Sequence, residues 1–440
     1  MRNHQVDIRT FEVYSNYNSS PPNLAGGIAQ LDYVESLLYY SPKIRVLFAD
    51  TGSRVGGEQV GAIENDGTKL VSAEKVYLKL EDPYLNKIDF GSDNKNLKVK
   101  TFIPIAKNVF VYAIQLELWS KECEDNKIET FRVKKTYKGK ISDSVTSILT
   151  NVLKTQKPLD IEETINNLNF NGCTKKPFVV INNLAIQSVP ILANSYGNLA
   201  GFWFWEDNRG YHFRSIDYLM SQSAKKKYIM RDIVEDSESV PLPPGYDGQI
   251  INAIPIKNFD IEEILETGSL ASSQIETFNP VESFYEKNDF NVPSSQDEYI
   301  AGKEFPKLNN LENEVTKRYF TIFTDEGHNS TGFNLEEQLK NSRKINYDSE
   351  KIMRQSSSRM RNMFSIKMVI KIKADLSLHP GDMIHCDFRE ISLKTEQEIS
   401  NKESGLYMIV TIRHKITTEG DNFSIIDLVR ESIGRKPMKI

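Results

Sequence analysis

Apolar and polar residues alternate with period two through the two ends of this chain, and a stretch of helical spacing separates those ends. KVYLKLE (75–81) sets Val76, Leu78 and Leu80 on one side, and VFVYAIQLELW (109–119) does the same with Phe110, Tyr112, Ile114, Leu116 and Leu118. Successive side chains of a strand point to opposite faces, so this spacing predicts half-buried strands. KIRVLFAD (43–50) and IRTFEVY (8–14) bring the number to at least four, joined by Gly-, Asn- and Asp-rich connectors, as a small antiparallel barrel or sandwich requires.

The period then changes. In ISDSVTSILTNVLK (141–154), Ile141, Val145, Ile148, Leu149, Val152 and Leu153 form one helical stripe, with Ser and Asp at its start to cap free N–H groups. A second helical segment, kinked or started by Pro190, leads into GFWFWEDNRGYHFRS (201–215), where two aromatic strands flank Asp207-Asn208-Arg209-Gly210. That is a hairpin signal, and the ladder of Trp203 and Trp205 against Phe202 and Phe204 is expected to pack on neighbouring helices. DSESVPLPPGYDG (236–248) reads as a linker, and Ile250 to Pro306 as short strands between polar loops, with GSLASSQIETFNP (268–280) the clearest extended piece. DSEKIMRQSSSRMRN (348–362) predicts a helix with four basic residues, a solvated or subunit-facing surface. Alternation returns in FSIKMVIKIK (364–373), with Ile366, Met368, Ile370 and Ile372 inside, then MIHCDF (383–388), a charged loop of about 15 residues, GLYMIVTIRHKI (405–416) and FSIIDLV (423–429). No fixed short repeat of the solenoid kind is present.

Composition narrows the class. The 440 residues suffice for about three domains, and with 39% hydrophobic residues, 10% aromatic residues and a formal charge of −5 they describe an ordinary globular protein, not a nucleic-acid binder. The basic run Lys225 to Lys227 is expected on a solvated face. Cys123, Cys173 and Cys386 are far apart without a Cys-x-x-Cys pair, which predicts buried reduced thiols and assembly in the cytosol. MRNHQVDIRTF has no apolar core of signal-peptide length. Pro177 to Trp205 lacks charge over a length that would span a bilayer, but Asn183, Gln187, Asn194 and Asn198 cluster on one side, opposite Ala185, Val189, Leu192 and Tyr196, an amphipathic pattern of a soluble helix.

Candidate chemistry is sparse. Asp50-Thr51-Gly52-Ser53 has the form that presents the catalytic carboxylate of an aspartic protease, yet that reaction needs two aspartates sharing a proton and no second Asp-Thr-Gly or Asp-Ser-Gly occurs. A strand turn is the simpler reading. His379, His385, Cys386 and His414 fall in the last β block, but His385 and Cys386 point to opposite faces and His414 shares the apolar face of Met408, Val410 and Ile412. SRVGGEQVG (53–61) lacks the Gly-Lys-Ser/Thr ending of a phosphate loop, and the neighbouring glutamates of IEET (161–164) and IEEI (261–264) diverge. No catalytic, cofactor or metal site is assigned, and the chain is expected not to be an enzyme.

The order of segments does carry a resemblance. DYVESLLYY (32–40) followed by LFADTG, then YAIQLELWSKE (112–122), YKGKISDSVTSIL (137–149), IEETINNLNFNGCTKKPF (161–178) and GFWFWEDNRGYHFRSIDYL (201–219) resemble the N-terminal half of the baseplate central hub of T-even-type contractile-tailed phages. LHPGDMIHCDF and SGLYMIVTIRHKI resemble the last strands of the same hubs and of spike hubs in related injection systems; residues 271–348 match least. The resemblance implies an α+β, mainly β fold in which two tail-tube-like antiparallel β-barrels bracket mixed α/β segments. The division is 1–135 for the first barrel, 136–222 for a mixed domain with the aromatic hairpin, 223–268 plus 362–432 for the second barrel, 269–361 for an insertion and 433–440 for a tail. It further implies a homotrimeric symmetry adapter between the hexameric tail tube and the trimeric central spike, near the tape measure and wedge proteins. Such a hub sits in the virion baseplate, is assembled in the host cytoplasm, and has no membrane contact or sequence-specific nucleic-acid binding. The competing expectation is a virion-associated peptidase or metal-dependent cell-wall hydrolase using Asp50 or His379, His385 and His414.

Overall fold

Phe11, Val13, Leu31, Tyr33, Val46, Leu78, Leu116 and Leu118 all turn inward into one core, which the alternation of their strands demands. In this computed structural model the described residues are 6–15, 21, 23–50, 54–55, 58–59, 70, 72–107, 111–191, 199–231, 241–267, 272–279, 283–291, 301–306, 315–322, 349–389, 399–417, 420 and 422–435. Six strands surround that core: β1 (Asp7–Tyr14), β2 (Ile28–Ser36), β3 (Lys43–Asp50), β4 (Lys75–Glu81), β5 (Leu97–Lys107) and β6 (Tyr112–Ser120), in the spatial order β1-β4-β5-β6-β3-β2. On its other side β1 meets the segment leading into β2, through the bridge Glu12 to Asn23 and the Leu24 N–H donating to the Phe11 carbonyl at 2.7 Å.

The mixed segment packs helix on sheet. Helix α1 (Ile141–Ser147) runs on into a wider π-helical stretch, Ile148–Val152, and α2 (Pro177–Ile186) starts with Pro177 in its first turn. Two expectations change here. Pro177, whose missing N–H is no loss at a helix start, begins the second helix, and Pro190 lies beyond its end. The start of α1 is capped from outside, by Thr164 Oγ1 accepting from Ser142 N at 3.1 Å. Leu192, Asn194, Tyr196 and Asn198 lie outside the described residues, and among the described residues no helix is long and apolar enough to cross a membrane. The hairpin β7 (Phe202–Asp207) and β8 (Gly210–Ser215) puts Phe202, Phe204, Tyr211 and Phe213 against these helices. Its other face carries Trp205 into a separate cluster with Leu219, Met383 and Met408, next to α3 (Ile216–Ser221).

A closed second barrel follows, from β9 (Lys226–Met230), β10 (Gly248–Asn258), β11 (Ile366–Lys373), β12 (Met383–Asp387), β13 (Gly405–Thr417) and β14 (Phe423–Arg430), ordered β13-β12-β9-β10-β11-β14 with β14 returning to β13. Strand β9 runs parallel to both neighbours. The lysine run is ion-paired: exposed Lys225, just before the strand, meets Asp382 at 2.7 Å, and half-buried Lys226 and Lys227 meet Asp375 at 2.5 Å and Asp387 at 3.4 Å. Between β10 and β11 stand a helix Ile261–Thr267, where IEEI lies, a small sheet of Ser272–Asn279, Phe284–Asn291 and Val315–Ile322, and helix α4 (Ser349–Asn362). The basic residues of helix α4 divide: Arg361 is exposed, while Arg359 is buried and pairs with Asp217 at 3.0 Å. All three cysteines are free; Cys386 is buried, Cys123 half-buried and Cys173 exposed, the last against expectation because it sits at a turn with φ of 47°.

The two barrels match residue by residue. In β5 and β6 the register slips after Val99 and after Pro104; in β10 and β11 it slips after Ile250 and after Pro255. Leu118, Leu116 and Ile114 thus correspond to Ile372, Ile370 and Met368, and Ile103-Pro104-Ile105 to Ile254-Pro255-Ile256. The pair β2 and β3 slips between Ile28 and Gln30, and β13 and β14 between Ile409 and Thr411, which makes Tyr33 the counterpart of His414. Those two counterparts pair with each other where β2 meets β13, and their rings stack at 6.1 Å. A local twofold axis therefore relates the barrels and joins them in one 13-stranded sheet.

The bulge in β13 also corrects the expected face of His414. It reverses the phase of the strand, so that Met408 and Val410 enter the Trp205 cluster while Ile412 faces the second barrel core and Ile416 the first.

Gly210 tests the hairpin turn. Its φ is +147°, and a Cβ there would stand 2.2 Å from the Pro158 carbonyl oxygen. Gly210→Ala should lower stability by ~2–4 kcal/mol in thermal or urea unfolding. Gly139→Ala, at φ +100° with nothing within 4 Å, should cost only ~1 kcal/mol; equal losses would mean that Pro158 yields without cost.

Candidate functional site

The tip of the β7–β8 hairpin is driven between the two barrels, and Glu35, Asp207, His212, His379 and Asp382 are buried around it. Asp207, at the end of β7, accepts from Arg209 N at 2.7 Å and from Arg209 Nη2 at 2.6 Å, and His212 Nε2 lies 2.9 Å from its Oδ1. Asn208 reaches into the first barrel: its N–H donates to Glu35 Oε1 at 2.8 Å, its side-chain oxygen accepts from Asp89 N at 2.8 Å, and its amide donates to the Lys87 carbonyl at 3.0 Å. Glu35 stands on the inward face of β2, where Tyr33 OH donates to it at 2.5 Å. Its second oxygen is 2.8 Å from Nδ1 of His379, which comes from the second barrel. Backbone N–H of His379 donates to Asp382 at 2.9 Å, and Arg209 lies 3.6 Å from the same carboxylate. Above the tip, Trp205 stacks on His212 at 4.8 Å, and Gly381 at φ +85° leaves room for its indole.

The electrostatics follow from this packing. Burial opposes the charge of Asp207, yet the hydrogen bond and charge of His212, with Arg209 beside it, hold it below the usual carboxylate range. Burial likewise opposes protonation of His379, but Glu35 and then Asp207 raise its proton affinity. His212 is raised by Asp160 and Asp207 against the same burial.

Glu35, Asp207 and His379 bring one ligand atom each to within 4.8 Å of one another, a spacing a cation would accept. The donor set does not fit one. Glu35 is satisfied by Tyr33, Asn208 and His379, and Asp207 by Arg209 and His212, so a guanidinium already supplies the positive charge. What the arrangement does chemically is clamp three parts of the chain together.

A second buried network starts from Glu206 and Tyr211, the neighbours of Asp207 and His212 on the same two strands. Lys157 Nζ is 2.6 Å from Glu206 and 2.5 Å from Glu122, and Ser120 and Tyr211 hydroxyls donate to Glu206 at 2.7 and 3.1 Å. Glu206 is pushed up to about 7 by burial, which Lys157 counteracts and Glu122 reinforces.

The residues singled out from the sequence are scattered. Asp50 ends β3 opposite Tyr112, and Thr51, Gly52 and Ser53 lie outside the described residues. His379 sits in the clamp; His385 Nε2 is 3.0 Å from Asp387, and His414 Nδ1 is 2.8 Å from Ser424 Oγ. Burial pushes His414 down to about 4. The three histidines thus have three separate partners. Of the Gly-rich stretch, Arg54–Val55 pairs with Glu58–Gln59 as a small hairpin. Sequence reading missed Glu35, Asp207, Lys157 and Glu206; the available signal was Glu35 in phase with Leu31 and Tyr33, a charge at an apolar position of a strand.

No protein-family model matches this chain, and no curated protein does. Solved structures do. A tail protein from Neisseria meningitidis MC58 superposes with a TM-score of 0.50 at 10% identity, over 96% of this chain and 97% of its own. The 43 kDa tail protein of prophage MuSo2 from Shewanella oneidensis gives 0.50 at 9% identity, over 97% and 99%. The chain therefore shares the fold of these two tail proteins, and it is mainly β with paired barrels.

The clamp has a pH signature. His379 binds its proton more tightly folded than unfolded, so its contribution is complete below about pH 6.5 and is lost as pH rises through the raised folded value. In urea unfolding, wild type should exceed His379→Gln by ~1–3 kcal/mol near pH 6, and the gap should shrink by pH 9. A gap that stays constant would show that His379 is neutral in the folded protein.

Proposed function

We propose that this chain is the structural hub of a contractile-tail baseplate in the virion: a homotrimer joining a hexameric tail tube to a trimeric central spike. The observation that carries this reading is the matched register of two barrels within one chain. Three copies supply six like barrels, the number of subunits around a hexameric tube, while the assembly keeps the threefold symmetry a trimeric spike requires. A fold shared with phage tail proteins along nearly the whole chain supports the same reading.

The role is non-catalytic. The clamp and the Lys157 network are closed to solvent at their cores and internally satisfied, as joints are and open catalytic sites are not. Asp50 serves as the last residue of a strand.

Light scattering on the purified chain, alone and with the trimeric spike protein encoded beside it, tests this. A trimer, or a 3:3 complex formed with the spike, is expected. A monomer or dimer indifferent to the spike overturns the hub. Peptidase turnover that vanishes in a folded Asp50→Asn variant would replace it with an enzyme.

A further inference from the structure

The matched long strands outrun their neighbours. Strand β5 pairs with β4 only at Leu97 and Lys98, and β10 with β9 only from Gly248 to Ile250. Among the described residues, the outer edge of each strand then has no ladder partner from Thr101 to Ala106 and from Ile251 to Lys257. Both edges are apolar where water should find polar groups. Ile103 and Ile105 are 38% and 54% exposed, Ile254 and Ile256 50% and 59%. An open, apolar strand edge is a template for association, and proline in its middle removes an N–H and restrains indiscriminate pairing. Here the proline stands at the same position of both edges, Pro104 and Pro255.

Building on the trimeric hub, we propose that the Ile103-Pro104-Ile105 edge of one copy packs antiparallel against the Ile254-Pro255-Ile256 edge of the next, closing the ring. Within the chain, the barrels already join by bringing counterpart strands together across a local twofold, β2 to β13. In a ring each barrel has one neighbour in its own chain and one in the next copy. Repeating the rule at the second junction brings β5 to β10, the counterpart strands whose apolar edges are uncovered. Antiparallel alignment centred on the prolines sets Ile105 opposite Ile254 and Ile103 opposite Ile256. It also sets Lys107 opposite Asn252 and Lys257 opposite Phe102, so that no two lysines face each other. The occupant is a second copy of this chain, since the two edges match each other in shape and chemistry.

Cysteine crosslinking decides it. In a Cys173→Ser background, Ile105→Cys and Ile254→Cys are introduced separately and together, and each protein is treated with a short bis-maleimide in the presence of the spike protein. The double variant should yield a covalent closed trimer on denaturing gels and the single variants none. Ile105→Asp and Ile254→Asp, at exposed positions that spare the fold, should each weaken self-association by about tenfold or more. A trimer seen by light scattering without crosslinking in the double variant overturns this interface and leaves the hub standing. A chain that stays monomeric with the spike present overturns both.

Discussion

The architecture hangs on one buried contact, the seating of Asn208 and its neighbours between Glu35 and His379. A strand-paired seam alone would let two barrels hinge about β2 and β13. With the hairpin tip inserted, Glu35 of the first barrel, Asp207 and Arg209 of the mixed segment, and His379 and Asp382 of the second barrel share one hydrogen-bonded set. Removing Glu35 or His379 leaves its buried partner uncompensated, which costs far more than the intact pair contributes. Such a contact fixes relative position more than it adds stability.

The clamp also explains why the mixed segment exists between the barrels at all. Its helices give β7 and β8 a rigid backing through Phe202, Phe204, Tyr211 and Phe213, and the Lys157 network ties that backing to Ser120 at the end of β6. Helix α4 adds a brace from the insertion, with Gln355 accepting from Ala200 N at 2.9 Å and Arg359 donating to the Ala200 carbonyl at 3.0 Å. Each brace ends on the segment that leads into the hairpin. The tip is thus held from behind as well as from its sides.

Much of the fold was legible because it is written in side-chain period. Strands such as KVYLKLE and FSIKMVIKIK have one wet face and one dry face, and their alternation survives into the structure. The joints were illegible because they break that logic. Glu35 sits in an apolar phase, the basic helix buries Arg359, and the bulge in β13 reverses which residues face inward. The kinship of the barrels was hidden for another reason. Ile-Pro-Ile is the only run of letters common to the matched strands, while the remaining likeness is in where the register slips.

That likeness has a consequence for how the two ends of the molecule differ. The local twofold turns the second barrel end over end relative to the first, since β2 and β13 run antiparallel. Hairpins of the same construction therefore point in opposite directions. In sequence the first pair of strands is separated only from Lys107 to Tyr112, whereas the second is separated from Asn258 to Ile366, with the helices and the small sheet between them. Pseudosymmetry would make the two ends alike; the insertion makes them different. One elaborated hairpin is a sufficient way to create that difference without disturbing the shared sheet.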